Sequence, residues 1–493
     1  MSLSIDRMNP CRTVATALRY GAGALVVGLS VAMGGCQSVP RVDVDAAREV
    51  AEAAGLAEPV AFREVGPDGG LIDEAEPAGD ELTVADAVRR AVTTAPGLQA
   101  ALARIRIAMA DARQARLLPN PVLNVVVRWG PGKPQVEASL AQDFVQALQL
   151  GDRTSAADNR LRQVAAEAVT VALDVVSEVQ ERYSAVQASS ALVPVLDQRL
   201  SLIDKLLATA QARLDAGEGT RGDVATLHAQ QVELRVEIDQ AKLSEREDRL
   251  RLARLIGEPS GAATWRLDGW SVLAGGMQPE AAWVNAGLQH RPEVQAIAWR
   301  LKALGDDEAL ARLLPWEGAS IGVDGQRDDG IYAGPAVSTP LPIFDMGQAR
   351  RARVTAEQLE ARHELTLAKR KVVEEVRVAF QTLAASSANL ARIQNELIPL
   401  QEQRRKLAED AYRAGQTDVT GLYLAEHDLR VAQAQSIEVE RQAANALVRL
   451  QRAVGGVGVA SPLMSHPVTS GDAVNATANA AHVIAESAET GRD

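Results

Sequence analysis

A long internal duplication constrains the fold of this chain more than any other feature. Ala115–Pro119 (ARLLP) recurs unchanged at Ala311–Pro315, an offset of 196 residues. At the same offset, Pro96–Ala100 (PGLQA) matches Pro292–Ala296 (PEVQA). Solenoid repeats have periods of about 20–50 residues. The much longer period here indicates that a whole structural unit was duplicated.

The duplication also predicts the domain organisation. Ala216–Glu218 matches Ala414–Gln416 at an offset of 198, so the second copy has gained two residues between the landmarks. The two repeats are predicted at 82–257 and 279–456. The other predicted segments are a signal peptide (1–35), an N-terminal segment (36–81), a linker at the equator of the molecule (258–278) and a disordered tail (457–493).

Composition favours helices over a large sheet. Apolar residues make up 47% of the chain but aromatic residues only 3%, so the apolar share is mostly Ala, Val and Leu. A β-sandwich of this size would need more aromatic and β-branched residues. The formal net charge is −12. A chain without a basic surplus is not expected to bind nucleic acid through phosphate contacts.

Each repeat is predicted to contain a helix, two strands, a very long helix and a return helix. The first helix begins after the Thr83 cap and runs to Leu118, where Pro119 follows. Alternating, β-prone runs predict strands at 122–129, 135–144, 319–325 and 331–341. Periodic apolar runs predict long helices at 153–214 and 347–413 and return helices at 223–256 and 418–454. The predicted fold class is mainly α, with two long helical hairpins.

Helices this long do not suit a globular core. At about 1.5 Å per residue, the run 153–214 would span roughly 90 Å. Ala and Leu recur with heptad-like spacing among Glu, Gln and Arg, which is typical of coiled-coil packing. We expect Pro194 and Pro399 each to kink or interrupt its helix. The pattern indicates a coiled coil or a tube.

The N-terminus is predicted to be an export signal. Three arginines precede a short apolar run at 21–32, which is too short to span a bilayer. The run ends in MGGC at 33–36, which resembles a bacterial lipobox in which the thiol of Cys36 is acylated, with palmitate as one of the acyl groups. Gln37 rather than Asp follows, which favours the outer membrane. A plain signal peptide with an incidental Cys36 is the alternative.

The four predicted strands have the pattern and length of membrane strands. They alternate polar and apolar residues, and about 9–11 residues suffice for a strand to cross a bilayer. Four strands cannot close a barrel, since the smallest single-chain barrels have about eight, so several copies must pool their strands. By this alternation the residues predicted to face a lumen are Glu137, Ser139, Ser320 and Asp324. The alternative is a soluble sheet that caps a periplasmic coiled coil.

The landmarks of the duplicated frame resemble those of TolC-type outer-membrane efflux proteins over essentially 82–456. They are LTVADA at 82–87, LPNP at 118–121, AGEGT at 216–220, PLPIFD at 340–345, YRAG at 412–415 and the segment 450–456. The resemblance implies a homotrimer with a twelve-stranded outer-membrane β-barrel and a periplasmic α-helical barrel. It also implies a passive export duct without a cofactor, which works with a periplasmic adaptor (membrane fusion) protein and an inner-membrane pump.

The resemblance places the working end at the periplasmic tips of the hairpins, around 213–224 and 412–424. Tyr412 lies three residues before Gly415, and Asp223 lies six after Gly217, as do the tyrosine and aspartate that tie neighbouring hairpins in the family. An N-cap role is the alternative for Asp223, and the two roles are compatible.

The tips also depart from the family pattern. Thr417 replaces a basic partner of the tyrosine, and Gly421 and Leu424 stand where some members carry an acidic ring. Asp418 is the candidate substitute. The further residues predicted to form the aperture and to dock the adaptor are Gly217, Gly219, Arg413 and Gly415.

No sequence signature of an enzyme or a metal centre is present. The six histidines are scattered and form no HExxH pair. Two cysteines, one of them in the predicted signal, cannot build a disulfide framework. Two functional classes remain, namely an outer-membrane export duct and a lipid-anchored periplasmic coiled-coil scaffold or adaptor.

Overall fold

A computed structural model gives the fold of the protein. It describes residues 45–62, 78–131, 134–270, 278–327, 330–414, 416–417 and 419–464. The predicted signal peptide and Cys36 lie outside these ranges, as do residues 465–493 of the predicted tail. The described part is mainly helical with a small sheet, which confirms the predicted fold class.

The elements follow the predicted order in both repeats. Up to residue 270 they are α1 (Ala46–Ala54), β1 (Glu81–Leu82), α2 (Val84–Thr94), α3 (Pro96–Ala115), β2 (Val122–Arg128), β3 (Gln135–Asp143), α4 (Val145–Leu148), α5 (Leu150–Asp215), α6 (Arg221–Leu255) and β4 (Arg266–Leu267). From residue 278 they are α7 (Glu280–His290), α8 (Pro292–Leu313), a 3₁₀ turn (Leu314–Trp316), β5 (Ser320–Arg327), β6 (Ile331–Ser338), α9 (Gln348–Arg392), a π-helical turn (Ile393–Leu397), α10 (Ile398–Arg413), α11 (Val419–Val454) and α12 (Val457–Met464). We call α5 and α6 the first hairpin, and α9, α10 and α11 the second hairpin.

A proline splits the first helix of each repeat, so the prediction of a single helix is wrong. Pro96 is the first residue of α3, and Pro292 is the first residue of α8. Proline suits a first helical position because its missing N–H has no partner to lose there. The ring also keeps the preceding residue out of the helical region, and Ala95 and Arg291 have ψ angles of 115° and 123°.

The two long helices accommodate their internal prolines differently. Helix α5 continues through Pro194 over 66 residues. In the second hairpin the π-helical turn lies directly before Ile398 and Pro399. A wider turn makes room for the proline ring, which would otherwise clash with the carbonyl of the preceding turn. The predicted interruption therefore occurs at Pro399, whereas the helix carries on at Pro194.

The long helices pack side by side in a layer whose members change along its length. Toward the tips, α6 packs on α5, α5 on α11, and α11 on α10. Toward the sheet, α3 packs on α5, α5 on α8, and α8 on α9. Helices α6 and α10 are therefore the two edge helices of the layer in the part that lies toward the tips. Within the described ranges, no helix combines the length and apolarity needed to cross a bilayer.

The strands of both repeats join in one four-stranded antiparallel sheet. Its order is β2-β3-β5-β6, so the two β-hairpins meet at the β3–β5 pair, and β2 and β6 are its edges. In a second small sheet β1 pairs with β4 in parallel. The hydroxyl of Tyr183 holds this pair to α5, since it donates to Leu82 O at 2.8 Å and accepts from Asp268 N at 2.9 Å.

The structure differs from the prediction at the start of the disordered tail, since residues 457–464 form helix α12. The side chain of Ala460 is buried in a cluster with Trp283 and Leu450. Leu463 and Met464 pack against the same cluster. Burial against α7 and α11 orders this segment although its sequence lacks a clear helical period.

Candidate functional site

The register of the sheet puts the four predicted lumen residues on one face. Residues that oppose each other directly in an antiparallel pair point to the same side. The opposed pairs are Ser139 with Asp324, Glu137 with Gln326, and Asp143 with Ser320. Arg128 on β2 forms an ion pair with Glu137. This face therefore carries carboxylates, hydroxyls and amides.

The other face of the sheet is apolar and open to solvent in the single chain. Its side chains include Leu123, Val125, Leu140, Ile321, Val323, Ile331 and Val337, which are 41 to 82% exposed. Trp129 follows β2 and Phe344 lies beyond β6, and both are also well exposed. An apolar surface of this extent on a sheet needs a cover.

The tip of the first hairpin is a tight turn that requires glycine at two positions. Gly217 has φ +81°, and its amide donates to Leu214 O at 3.0 Å. The amide of Gly219 donates to Arg213 O at 3.0 Å. A Cβ on Gly219 would lie 2.8 Å from Leu214 N. The chain therefore closes on the end of α5 so tightly that a side chain at 219 has no room.

Asp223 takes part in the cap of α6 but is not the N-cap residue itself. The alternative that Asp223 is the N-cap is therefore wrong. Thr220 is the N-cap, and its hydroxyl oxygen accepts from Asp223 N at 3.1 Å. The Asp223 carboxylate accepts in return from Thr220 N at 3.3 Å. This reciprocal pair is a capping box, which fixes the start of α6.

The tip of the second hairpin is held by apolar packing. Tyr412 packs against a buried group that we call the tip cluster, which consists of Leu206, Ala210, Leu227 and Leu422. Among the described residues no hydrogen bond joins Tyr412 to Asp223. Thr417 and Leu424 are exposed. Gly415 and Asp418 lie outside the described residues, as does the side chain of Arg413.

The sequence did not predict a polar contact that joins the two hairpins on the tip side of the molecule. Arg199 on α5 donates from Nη2 to His427 Nδ1 on α11 at 2.9 Å and to the Tyr423 hydroxyl at 3.3 Å. His427 lies 228 residues after Arg199 in the chain, and Tyr423 lies 224 residues after it. The only local sequence signal is an arginine and a histidine on otherwise coiled-coil helices, which does not reveal the pairing.

Comparison with known proteins assigns this architecture. The model of the family described as "Outer membrane efflux protein" matches residues 283–456. The match covers nearly all of the second repeat. The resemblance to TolC-type efflux proteins, predicted from the ordered landmarks, is thereby confirmed. The matched part of the chain is thus similar to outer-membrane efflux proteins.

Individual relatives of the outer membrane efflux family cover much more of the chain. The cobalt-zinc-cadmium resistance protein CzcC of Cupriavidus metallidurans is 23% identical over 385 residues, covering 77% of this chain and 91% of CzcC. The pyoverdine export outer membrane protein OpmQ of Pseudomonas putida is 24% identical over 408 residues, covering 73% of this chain and 83% of OpmQ. The solved structure of the outer membrane protein VceC from Vibrio cholerae matches with a TM-score of 0.64 and 18% identity. The match covers 76% of this chain and 96% of the VceC chain. The fold is therefore that of an outer-membrane efflux channel.

Proposed function

We propose that the protein is the outer-membrane channel of a tripartite efflux system, a passive duct that receives cargo from an inner-membrane pump through a periplasmic adaptor. The observation that carries the proposal is the two-faced sheet at one end of long helical hairpins. A lipid-facing strand surface must be apolar and a water-filled lumen is polar. The exposed Leu, Ile and Val face suits lipid, and the face with Glu137 and Asp324 suits a lumen.

Three copies would complete the duct. Strands β2 and β6 leave open edges, and lipid does not tolerate unpaired strand edges. Pairing β6 of one copy with β2 of the next gives twelve strands in a homotrimer. The helical layer has matching edges, since α6 exposes Val236, Leu243 and Leu250 at seven-residue spacing and α10 exposes Leu400 and Leu407. Such stripes are typical of coiled-coil seams.

The adaptor would dock at the tips. A groove of about 820 Å³ runs between α5 and α6 beside the first tip, with Leu207, Leu214, Val224 and Arg221 in its walls. An amphipathic helix of the adaptor fits a groove of this kind. The glycine turn at 217–219 and Tyr412 belong to the same end, and Arg413, Gly415 and Asp418 follow Tyr412 closely in the sequence. Acylation of Cys36 would add a lipid tether at the outer membrane.

Conductance of the purified full-length protein in planar bilayers tests the proposal. We expect heat-modifiable trimers in outer-membrane fractions and an ion-conducting channel. Because Asp324 would line the lumen, Asp324→Asn should shift the reversal potential away from cation preference. Asp345→Asn is the matched control, since Asp345 lies after the strands and pairs with Arg350. An equal shift in both variants, or none in either, would contradict the lumen assignment.

Fractionation separates the duct from a lipid-anchored periplasmic scaffold. A channel with its own membrane sheet should stay in the outer membrane when Cys36 is changed to Ala, because its strands hold it there. Release into the soluble fraction by Cys36→Ala alone would exclude the duct and support the scaffold.

A further inference from the structure

Polar contacts along the seam between α5 and α11 stop well before the tips. From the sheet side downward they are Asp174 with Arg452, Glu181 with Arg449, Ser184 with Asn445, Gln198 with Arg430, and Arg199 with His427 and Tyr423. Closer to the tips, the described contacts between the hairpins are those of the apolar tip cluster. Among the described residues, Arg199 therefore makes the polar contact between α5 and α11 that lies nearest the tips.

The contacts of Arg199 require a neutral His427. Arginine has only donors, so His427 Nδ1 must act as the acceptor and carry no proton. The ring of Tyr423 stacks against the His427 ring, with centroids 6.1 Å apart. Glu237 on α6 lies 3.5 Å from Arg199 Nη1. The Nε of Arg199 is buried and has no hydrogen-bond partner among the described residues, so His427 is a main acceptor for this guanidinium.

The charges around His427 are already paired. Every carboxylate in these contacts has a guanidinium partner. The pairs are Glu237 with Arg199 on α6 and α5, Glu426 with Arg430 and Arg405 on α11 and α10, Glu409 with Arg405 on α10, and Asp428 with Arg404 on α11 and α10. A proton on His427 would therefore add a positive charge beside carboxylates that guanidinium groups already neutralise.

We propose that Arg199 and His427 form a proton-sensitive tie that holds the two hairpins together above the tips and loosens on acidification. The inference rests on the proposed export-duct function and names a regulatory contact of that duct. Protonation turns Nδ1 from an acceptor into a donor and puts a second cation against the guanidinium. Imidazole groups in general change charge between about pH 5 and pH 8. Below the tie, the contacts of the described residues that still join the hairpins are those of the apolar tip cluster.

Distances between spin labels on the two tips test the tie directly. Glu218→Cys and Gln416→Cys place labels at exposed positions on the first and second tips of the full-length protein. Labelled chains are diluted with unlabelled chains so that one trimer carries one labelled copy. Between about pH 7.5 and about pH 5.5, the span over which imidazole titrates, we expect the distance distribution to lengthen and broaden.

Three variants separate the tie from a general effect of acid. His427→Gln keeps an acceptor but cannot titrate, so its distances should not change with pH. Arg199→Ala should give the longer distances at both pH values. His228→Gln is the matched control, because His228 lies near the first tip on α6 and contacts Gln231 rather than Arg199. This variant should respond to pH as the wild type does. A pH response that survives in His427→Gln would overturn the proposal.

The label distances and the channel activity are independent readouts. If the wild type conducts ions but its label distances do not change with pH, the tie is wrong and the duct stands. If the distances respond as expected but no variant conducts, the tie stands as a contact between hairpins and the export function fails.

Discussion

Tyr183 shows how one side chain joins distant parts of this chain. Its side chain is 1% exposed, and its hydroxyl contacts Leu82 of β1 and Asp268 just after β4. The same group thus fixes the start of the first repeat and the linker after it to the middle of α5. Burial raises the pKa of Tyr183 to about 12, so the phenol stays protonated and donates throughout the physiological range.

Removing this hydroxyl should destabilise the protein. Tyr183→Phe leaves Leu82 O and Asp268 N without their buried partner, which we expect to cost about 1–3 kcal/mol. Because the folded pKa is raised above the unfolded value of about 10, the stabilisation is complete below about pH 10 and is lost as the pH rises toward 12. The melting temperatures of the wild type and of Tyr183→Phe, measured as a function of pH, should therefore converge above about pH 10. Tyr332→Phe, an exposed tyrosine on β6, should melt like the wild type, and a similar loss there would refute the role of the hydroxyl.

Residue-level prediction from sequence depended on whether the pattern was local. Alternation along a strand is local, and it put Glu137, Ser139, Ser320 and Asp324 on the face where the sheet register places them. The contact between Arg199 and His427 depends on how two hairpins pack, and the sequence around each residue holds no trace of the other. Tyr412 was expected to make a polar tie, but its position over the tip cluster also depends on packing.

At the scale of elements, the sequence predicted which segments are helices and which are strands. It predicted only in part where the helices are interrupted. Long Ala-rich and Leu-rich runs predicted the four long helices because their length and period leave no other fold. The split at Pro96 and Pro292 could have been read from the sequence, since both prolines follow a residue that they force to be extended. Proline predicted an interruption at both Pro194 and Pro399, but only Pro399 has a π-helical turn before it, and the sequence does not distinguish the two sites.

The turn between α5 and α6 should tolerate no side chain at residue 219. Gly219→Ala brings a Cβ to 2.8 Å from Leu214 N and 3.1 Å from Arg213 C, both backbone atoms that cannot rotate away. We expect local opening of the turn, measured as faster amide exchange at 213–223. Gly421→Ala is the control, because Gly421 lies in α11 with open space around it, and alanine there should stabilise the helix by about 0.5–1 kcal/mol. Unchanged exchange in Gly219→Ala would show that the turn has room to adjust.

At the scale of the whole molecule, the exposed stripe on α6 should be the seam between copies. Leu243→Glu puts a charge in the middle of the stripe formed with Val236 and Leu250, so trimers should fall apart while the helical content of each chain stays the same. Size-exclusion chromatography with light scattering measures this. Ser244→Glu changes the next exposed residue on the helix and should leave the trimer intact. Loss of the trimer in both variants, or in neither, would contradict this seam.

The open strands β2 and β6 also have a consequence for how such a channel is made. A single chain carries an apolar sheet face and two unpaired edges, and none of the described residues covers them. In the proposed trimer, insertion must wait for two further chains, so the yield of finished channels should rise more steeply than the supply of chains. Chains that wait alone are the species most exposed to aggregation and proteolysis. Cells that make this protein should therefore need periplasmic chaperones most when its expression is low.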